Sequence, residues 1–158
     1  MYVLPGALLT GGGRACCMSE SGFVDVGVEV SAHRFVRGSA STIFTQLGYG
    51  GLVQLQVGGI PMAEKTPSDL GPHLRLGLGG QGTWGLLGLQ GGIMTRAGSA
   101  TYGTTAGVFG GAFVTFGLVS GGLQVDVPIA SSTGEPRMPT LAMGMATVKW
   151  VLPWEVEK

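Results

Sequence analysis

Between residues 22 and 58 apolar side chains alternate with polar or very small ones, with one interruption at 37–40. In GFVDVGVEVSAHRFVRG, Val24, Val26, Val28, Val30 and Ala32 share one face, and Asp25, Gly27, Glu29, Ser31 and His33 share the other. In STIFTQLGYGGLVQLQVGG, Ile43, Leu47, Tyr49, Val53, Leu55 and Val57 oppose Gln46, Gly48, Gly50, Gln54 and Gln56. A period of two means strand, because successive side chains of a pleated backbone point to opposite sides. The parity passes Gly50-Gly51 without a slip, so 41–58 reads as one strand. At about 3.3 Å per residue it would be roughly 60 Å long, whereas strands of soluble domains usually span about 17–20 Å. Such a length points to a membrane.

The same pattern continues down the chain. Residues 59–72 hold three prolines and several charges, including Glu64, Lys65 and Asp69, and read as a surface loop. In HLRLGLGGQGTW, Leu74, Leu76 and Leu78 oppose His73, Arg75, Gly77, Gly79 and Gln81, with a tight turn expected at 82–85. Leu87, Leu89 and Ile93 then oppose Gly88, Gln90, Gly92 and Arg96, before a small-residue turn at 97–100. A weaker strand is expected over 101–109, with Tyr102, Ala106 and Val108 on one side, and a turn at Gly110-Gly111. Residues 112–130 form another long alternating run, 131–139 a second polar loop, and TLAMGMATVKWVL a final strand. Residues 2–10 read either as one more strand or as part of a tail. The organisation that follows is an N-terminal segment over 1–21, a barrel over 22–154 and a tail over 155–158.

Composition narrows the meaning of this alternation. Charged residues make up 11% of the chain, against about 25% in ordinary soluble domains. Glycine accounts for 31 of 158 residues, and these glycines sit inside alternating segments without a collagen period. A surface so poor in charge is covered by lipid or by other protein. The formal net charge of zero argues against nucleic acid as a partner. No window approaches the roughly 18–20 consecutive apolar residues of a membrane helix, so a spanning reading requires a closed β-barrel.

The charges also say which face is inside. In a water-soluble barrel the face opposite the valines and leucines would carry many lysines and glutamates. Here it carries glycine, glutamine, serine and a few balanced charges: Asp25, Glu29 and Asp126 against Arg75, Arg96, Lys149 and His33. Such a set suits the polar lumen of a narrow membrane barrel, with the aliphatic face turned to lipid. These seven residues are the candidate site, a polar network with a structural role. A register slip of one residue would push them into hydrocarbon, at about 2–4 kcal/mol for each Arg or Lys near the midplane. Tyr49, Trp84, Tyr102, Trp150 and Trp154 are candidates for interfacial girdles.

From GFVDVGVEV through GGLQVDVPIA to the last strand, the chain resembles the small outer-membrane β-barrel proteins of bacteria. The resemblance is one of pattern and covers most of the sequence. It implies an all-β fold, an antiparallel up-and-down transmembrane β-barrel of about eight strands, in the bacterial outer membrane. It implies the lipid bilayer as the main partner, with other envelope proteins or copies of the same chain as further ones. A barrel so narrow is filled by its own side chains, so a structural or interaction role is expected in place of an open pore. Members usually end in an aromatic residue, and this chain departs from that in Trp154-Glu155-Val156-Glu157-Lys158. The competing reading is a soluble β-rich subunit whose low-charge surface is buried in an envelope or viral particle.

No motif adds chemistry to this picture. Gly77-Leu78-Gly79-Gly80-Gln81-Gly82 matches the dinucleotide G-x-G-x-x-G in letters, but an alternating strand follows where a helix should open. His33 shares its strand face with Asp25 and Glu29, yet no spacing singles out a serine nucleophile. Two distant histidines and the vicinal Cys16-Cys17 match no zinc-ligand spacing, and the cysteines lack a full lipidation motif. Neither an enzymatic activity nor a cofactor or metal is expected.

Overall fold

The computed structural model describes residues 2–15, 22–36, 47–61, 71–98, 102–132 and 138–150. These form eight strands: β1 (Tyr2–Arg14), β2 (Phe23–Phe35), β3 (Leu47–Pro61), β4 (His73–Trp84), β5 (Leu87–Ala97), β6 (Thr105–Phe116), β7 (Val119–Ser131) and β8 (Leu141–Lys149). Each pairs antiparallel with its sequence neighbours, and β8 returns to pair with β1, so the sheet closes into a barrel without a free edge. The described residues contain no helix.

β1 is a strand of 13 residues and supplies the closing seam, Gly6–Arg14 against Leu141–Lys149. Its weak signature has a cause: both faces are apolar, with Leu8 turned inward and Leu9 outward. Pro5 is tolerated because the N–H and C=O of one strand residue point to the same neighbour. Its carbonyl accepts from the Trp150 amide just past the end of β8, so the missing N–H removes no bond to β2.

Two expected turns fall elsewhere. β4 runs through Trp84 and reverses at Gly85-Leu86; β6 runs straight through Gly110-Gly111 and reverses at Gly117-Leu118. The run expected over 112–130 is therefore the end of β6 and all of β7. The backbone explains the difference: Gly85 and Gly117 have φ of 60° and 64°, which two-residue hairpin turns need and other residues resist. Gly110 and Gly111 instead keep strand register, opposite Gly91 and Gln90. β3 also continues past the expected loop start at 59, to Pro61. The expected strand residues 41–46, positions 62–70 of the expected 59–72 loop with Glu64, Lys65 and Asp69, Cys16-Cys17, Trp154 and the 155–158 tail lie outside the described residues.

Aliphatic side chains point outward around the wall. Leu9, Val28, Leu55, Leu76, Ile93, Val127 and Val148, one from each strand but β6, are each more than a third exposed, and Val108 on β6 is 38% exposed. Inside lie Asp25, Glu29, Gln54, Gln56, Arg75, Arg96, Gln124 and Asp126, all nearly inaccessible. The lumen is not wholly polar, however. β8 turns Leu141, Met143 and Met145 inward and its small residues Ala142, Gly144 and Ala146 outward. Leu141 and Met143 join Phe23, Leu52, Met94, Phe109 and Met138 in an apolar plug against which Tyr102 packs, while Met145 clusters with Leu8 and Phe113. Tyr102 thus precedes β6 and faces inward, where its hydroxyl accepts from Arg14 at 2.7 Å, instead of sharing an outer face with Val108.

Gly79 and Gly92 are directly paired, face the lumen and let neighbouring backbone approach closely. A Cβ on Gly79 would lie 2.3 Å from the Gly91 carbonyl oxygen, too close for any side chain. Outward-facing Gly80 has nothing nearer than 3.5 Å. Gly79→Ala should therefore destabilise the barrel by about 1–3 kcal/mol, while Gly80→Ala should be neutral or stabilise it by about 0.4–1 kcal/mol through the unfolded chain. Urea midpoints for the two variants check this, and equal midpoints would reject the register.

Candidate functional site

The lumen network is built from inward positions two residues apart, so each strand contributes a short column of polar groups. Asp126 on β7 is its hub. It accepts Arg75 Nε at 2.7 Å on Oδ2 and Arg75 Nη2 at 2.9 Å on Oδ1, a bidentate pair, together with Arg96 Nη2 at 3.2 Å and Gln124 Nε2 at 3.0 Å. Asp25 on β2 accepts Arg96 Nη1 at 3.3 Å and lies 3.2 Å from His73 Nε2. Arg96 Nη1 also contacts His73 Nε2 directly. The two arginines therefore tie β4 to β7 and β5 to β2, strands three apart around the ring, and act as braces across the lumen.

Local irregularity places Asp25. Register shifts between Val24 and Asp25, where Gly59 (φ 91°) bulges out of the ladder. The freed Gly59 amide donates to Asp25 Oδ1 at 3.2 Å. Gly58 has no side chain because Asp25 Oδ1 would sit 1.7 Å from its Cβ.

Glutamines carry the network along the barrel. Arg75 Nη1 donates to Gln54 Oε1 and Gln56 Oε1, each at 3.0 Å; Gln56 Nε2 passes to Thr10 Oγ1 at 2.9 Å and Gln54 Nε2 to Glu29 Oε2 at 3.0 Å. Glu29 Oε1 pairs with Lys149 Nζ at 2.9 Å, and Lys149 also donates to Ser31 Oγ at 3.2 Å. The arginine faces rest on aromatic rings, Arg75 5.2 Å from the Phe109 centroid and Arg96 5.5 Å from that of Phe23. Two acids meet two arginines at one level and Glu29 meets Lys149 at the next, so charge is balanced level by level. That balance is what makes burial of six ionised groups tolerable.

Of the seven residues singled out from the sequence, Asp25, Arg75, Arg96 and Asp126 form one knot, with Glu29 and Lys149 joined to it through Gln54. His33 is buried near the other end of the lumen, beside the Lys149 level. His73 is a member that the sequence reading left out, although it shares a strand face with Arg75. So are Thr10, Gln54, Gln56 and Gln124. Parity would have found all of them but Thr10, whose strand is apolar on both faces, and only the folded barrel says which of the inward groups meet.

His73 is held from both sides of its ring. Its Nδ1 lies 2.9 Å from the Gly71 carbonyl oxygen and its Nε2 faces Asp25 and Arg96, so both ring nitrogens are engaged. Among the described residues no group of three His, Cys, Asp or Glu is placed to hold a metal ion. Fold and lumen together define a small, closed antiparallel β-barrel with an aliphatic outer wall and an internally braced polar interior. Neither known protein-family models nor curated proteins match the chain.

Proposed function

We propose that the protein is a small bacterial outer-membrane β-barrel with a structural or interaction role, its lumen filled by side chains and not open as a pore. The observation that carries this reading is the inverted distribution of polarity. Leu55, Leu76, Ile93 and Val28 are 42%, 37%, 62% and 52% exposed, while Arg75, Asp25 and Asp126 are 0% exposed. Water would favour the opposite arrangement by about 1.5–3 kcal/mol for each aliphatic side chain. Hydrocarbon favours the one observed.

Strand lengths agree with this reading. Strands of 9–15 residues meet or exceed the roughly 9–11 residues needed to span a bilayer. The two ends also differ. Exposed Tyr49, Trp84, Phe116 and Trp150 all lie at the end that holds the turns at Gly85-Leu86 and Gly117-Leu118 and both ends of the barrel sequence. Aromatic girdles mark the membrane interface of such barrels, and this cluster fits one. The partners are the lipid bilayer and, through the opposite end or the wall, other envelope proteins or copies of the chain.

Fractionation tests the proposal. The protein should leave the envelope only with detergent and should shift its gel mobility on boiling. Recovery as a detergent-free soluble monomer would overturn the membrane reading. A large detergent-independent particle would identify a subunit whose aliphatic wall is covered by other protein.

A further inference from the structure

At the tight-turn end the lumen opens into a cavity of about 200 Å³, room for about seven waters or a molecule of about six heavy atoms. Its lining mixes apolar Leu4, Leu86 and Phe113 with polar His33, Thr115, Ser120 and Lys149. Lys149 faces the cavity, but its acid partner Glu29 does not line it. Lys149 directs hydrogen bonds to Glu29 and Ser31, and an ammonium group has three N–H donors. The acids of the brace, Asp25 and Asp126, lie towards the other end and are occupied by arginine.

A second feature lies beside the cavity. Gln81 is 5% exposed, yet neither atom of its side-chain amide makes a hydrogen bond of good geometry within the described residues. It sits next to His33 because Gly50, the residue paired with both, has no side chain to separate them. Gln81 does not itself line the cavity; its amide lies against the His33 ring, which does.

From these features we infer that this cavity is a binding site for a small monocarboxylate with a short apolar tail. The carboxylate takes the third proton of Lys149 and the donors around it, and the tail lies against Phe113 and Leu86. The inference stands on the lumen alone and does not depend on what covers the outer wall. Butyrate is the probe, with butylammonium as its opposite-charge counterpart, titrated into the folded full-length protein in detergent and followed by NMR shifts of Ser120 and Lys149. A charge-assisted hydrogen bond to Lys149 predicts at least about tenfold tighter binding of butyrate.

Ser120→Leu, which fills the cavity, should abolish the shifts. Glu29→Gln/Lys149→Met, which removes the pair without leaving a lone charge, should erase the preference for the anion. Equal affinity for the two probes in the wild-type protein overturns the inference without any variant, as do shifts that survive Ser120→Leu in a folded barrel.

Discussion

Asp126→Leu is expected to destabilise the barrel by about 3–5 kcal/mol, the cost of breaking a buried ion pair and leaving its partner charged. Here two partners are left: Arg75, which loses both of its bonds to the carboxylate, and Arg96, which loses one of its two acids. Neither arginine can reach water, since they are 0% and 1% exposed. Equilibrium unfolding in urea from lipid vesicles measures the loss. Replacing the whole knot, with Asp25→Leu, Arg75→Met, Arg96→Met and Asp126→Leu together, should recover most of it, because a well-packed apolar core often equals a buried ionic one. A single variant within about 0.5 kcal/mol of wild type would show that the braces contribute nothing to folding.

Leu55→Arg is expected to cost about 2–4 kcal/mol in vesicles. Leu55 lies near the middle of β3, is 42% exposed and is flanked in register by Val28 and Leu76, which also point outward. In a bilayer the new guanidinium would sit near the midplane. On a wall facing water the same change would fall within about ±0.5 kcal/mol. Unfolding free energy in vesicles, with Leu55→Ala as a reference for lost side-chain contacts, separates the two outcomes, and indifference to Arg at this position would exclude lipid contact there.

Alternation was a reliable guide where both faces were chemically distinct. In β2, β3 and β4 the charged and amide residues and the branched aliphatics occupy alternate positions, so Val28 against Glu29 or Leu76 against Arg75 assigns the inside without coordinates. It failed where the contrast was missing. β1 puts Leu8 inside and Leu9 outside, and β8 puts methionines inside and alanines outside, so neither polarity nor size marks the lumen face. Glycine misled in a different way. Every Gly-Gly pair among the described residues lies in a strand, and the two tight turns each use a single glycine of positive φ, a property of the backbone and not of composition.

By itself the sequence determined that the chain is all-β, that its strands are two-faced, and that ionised groups share one face in balanced numbers, because period two and charge count are local quantities. Only the tertiary structure decided that the sheet closes through β1 and β8, that Asp126 and Asp25 each meet an arginine across the lumen, and that His73 joins them while His33 sits apart. The Arg75–Asp126 and Arg96–Asp25 braces join strands three apart around a ring. Their geometry depends on strand number, stagger and one bulge at Gly59, none of which is written in the spacing of residues along any single strand.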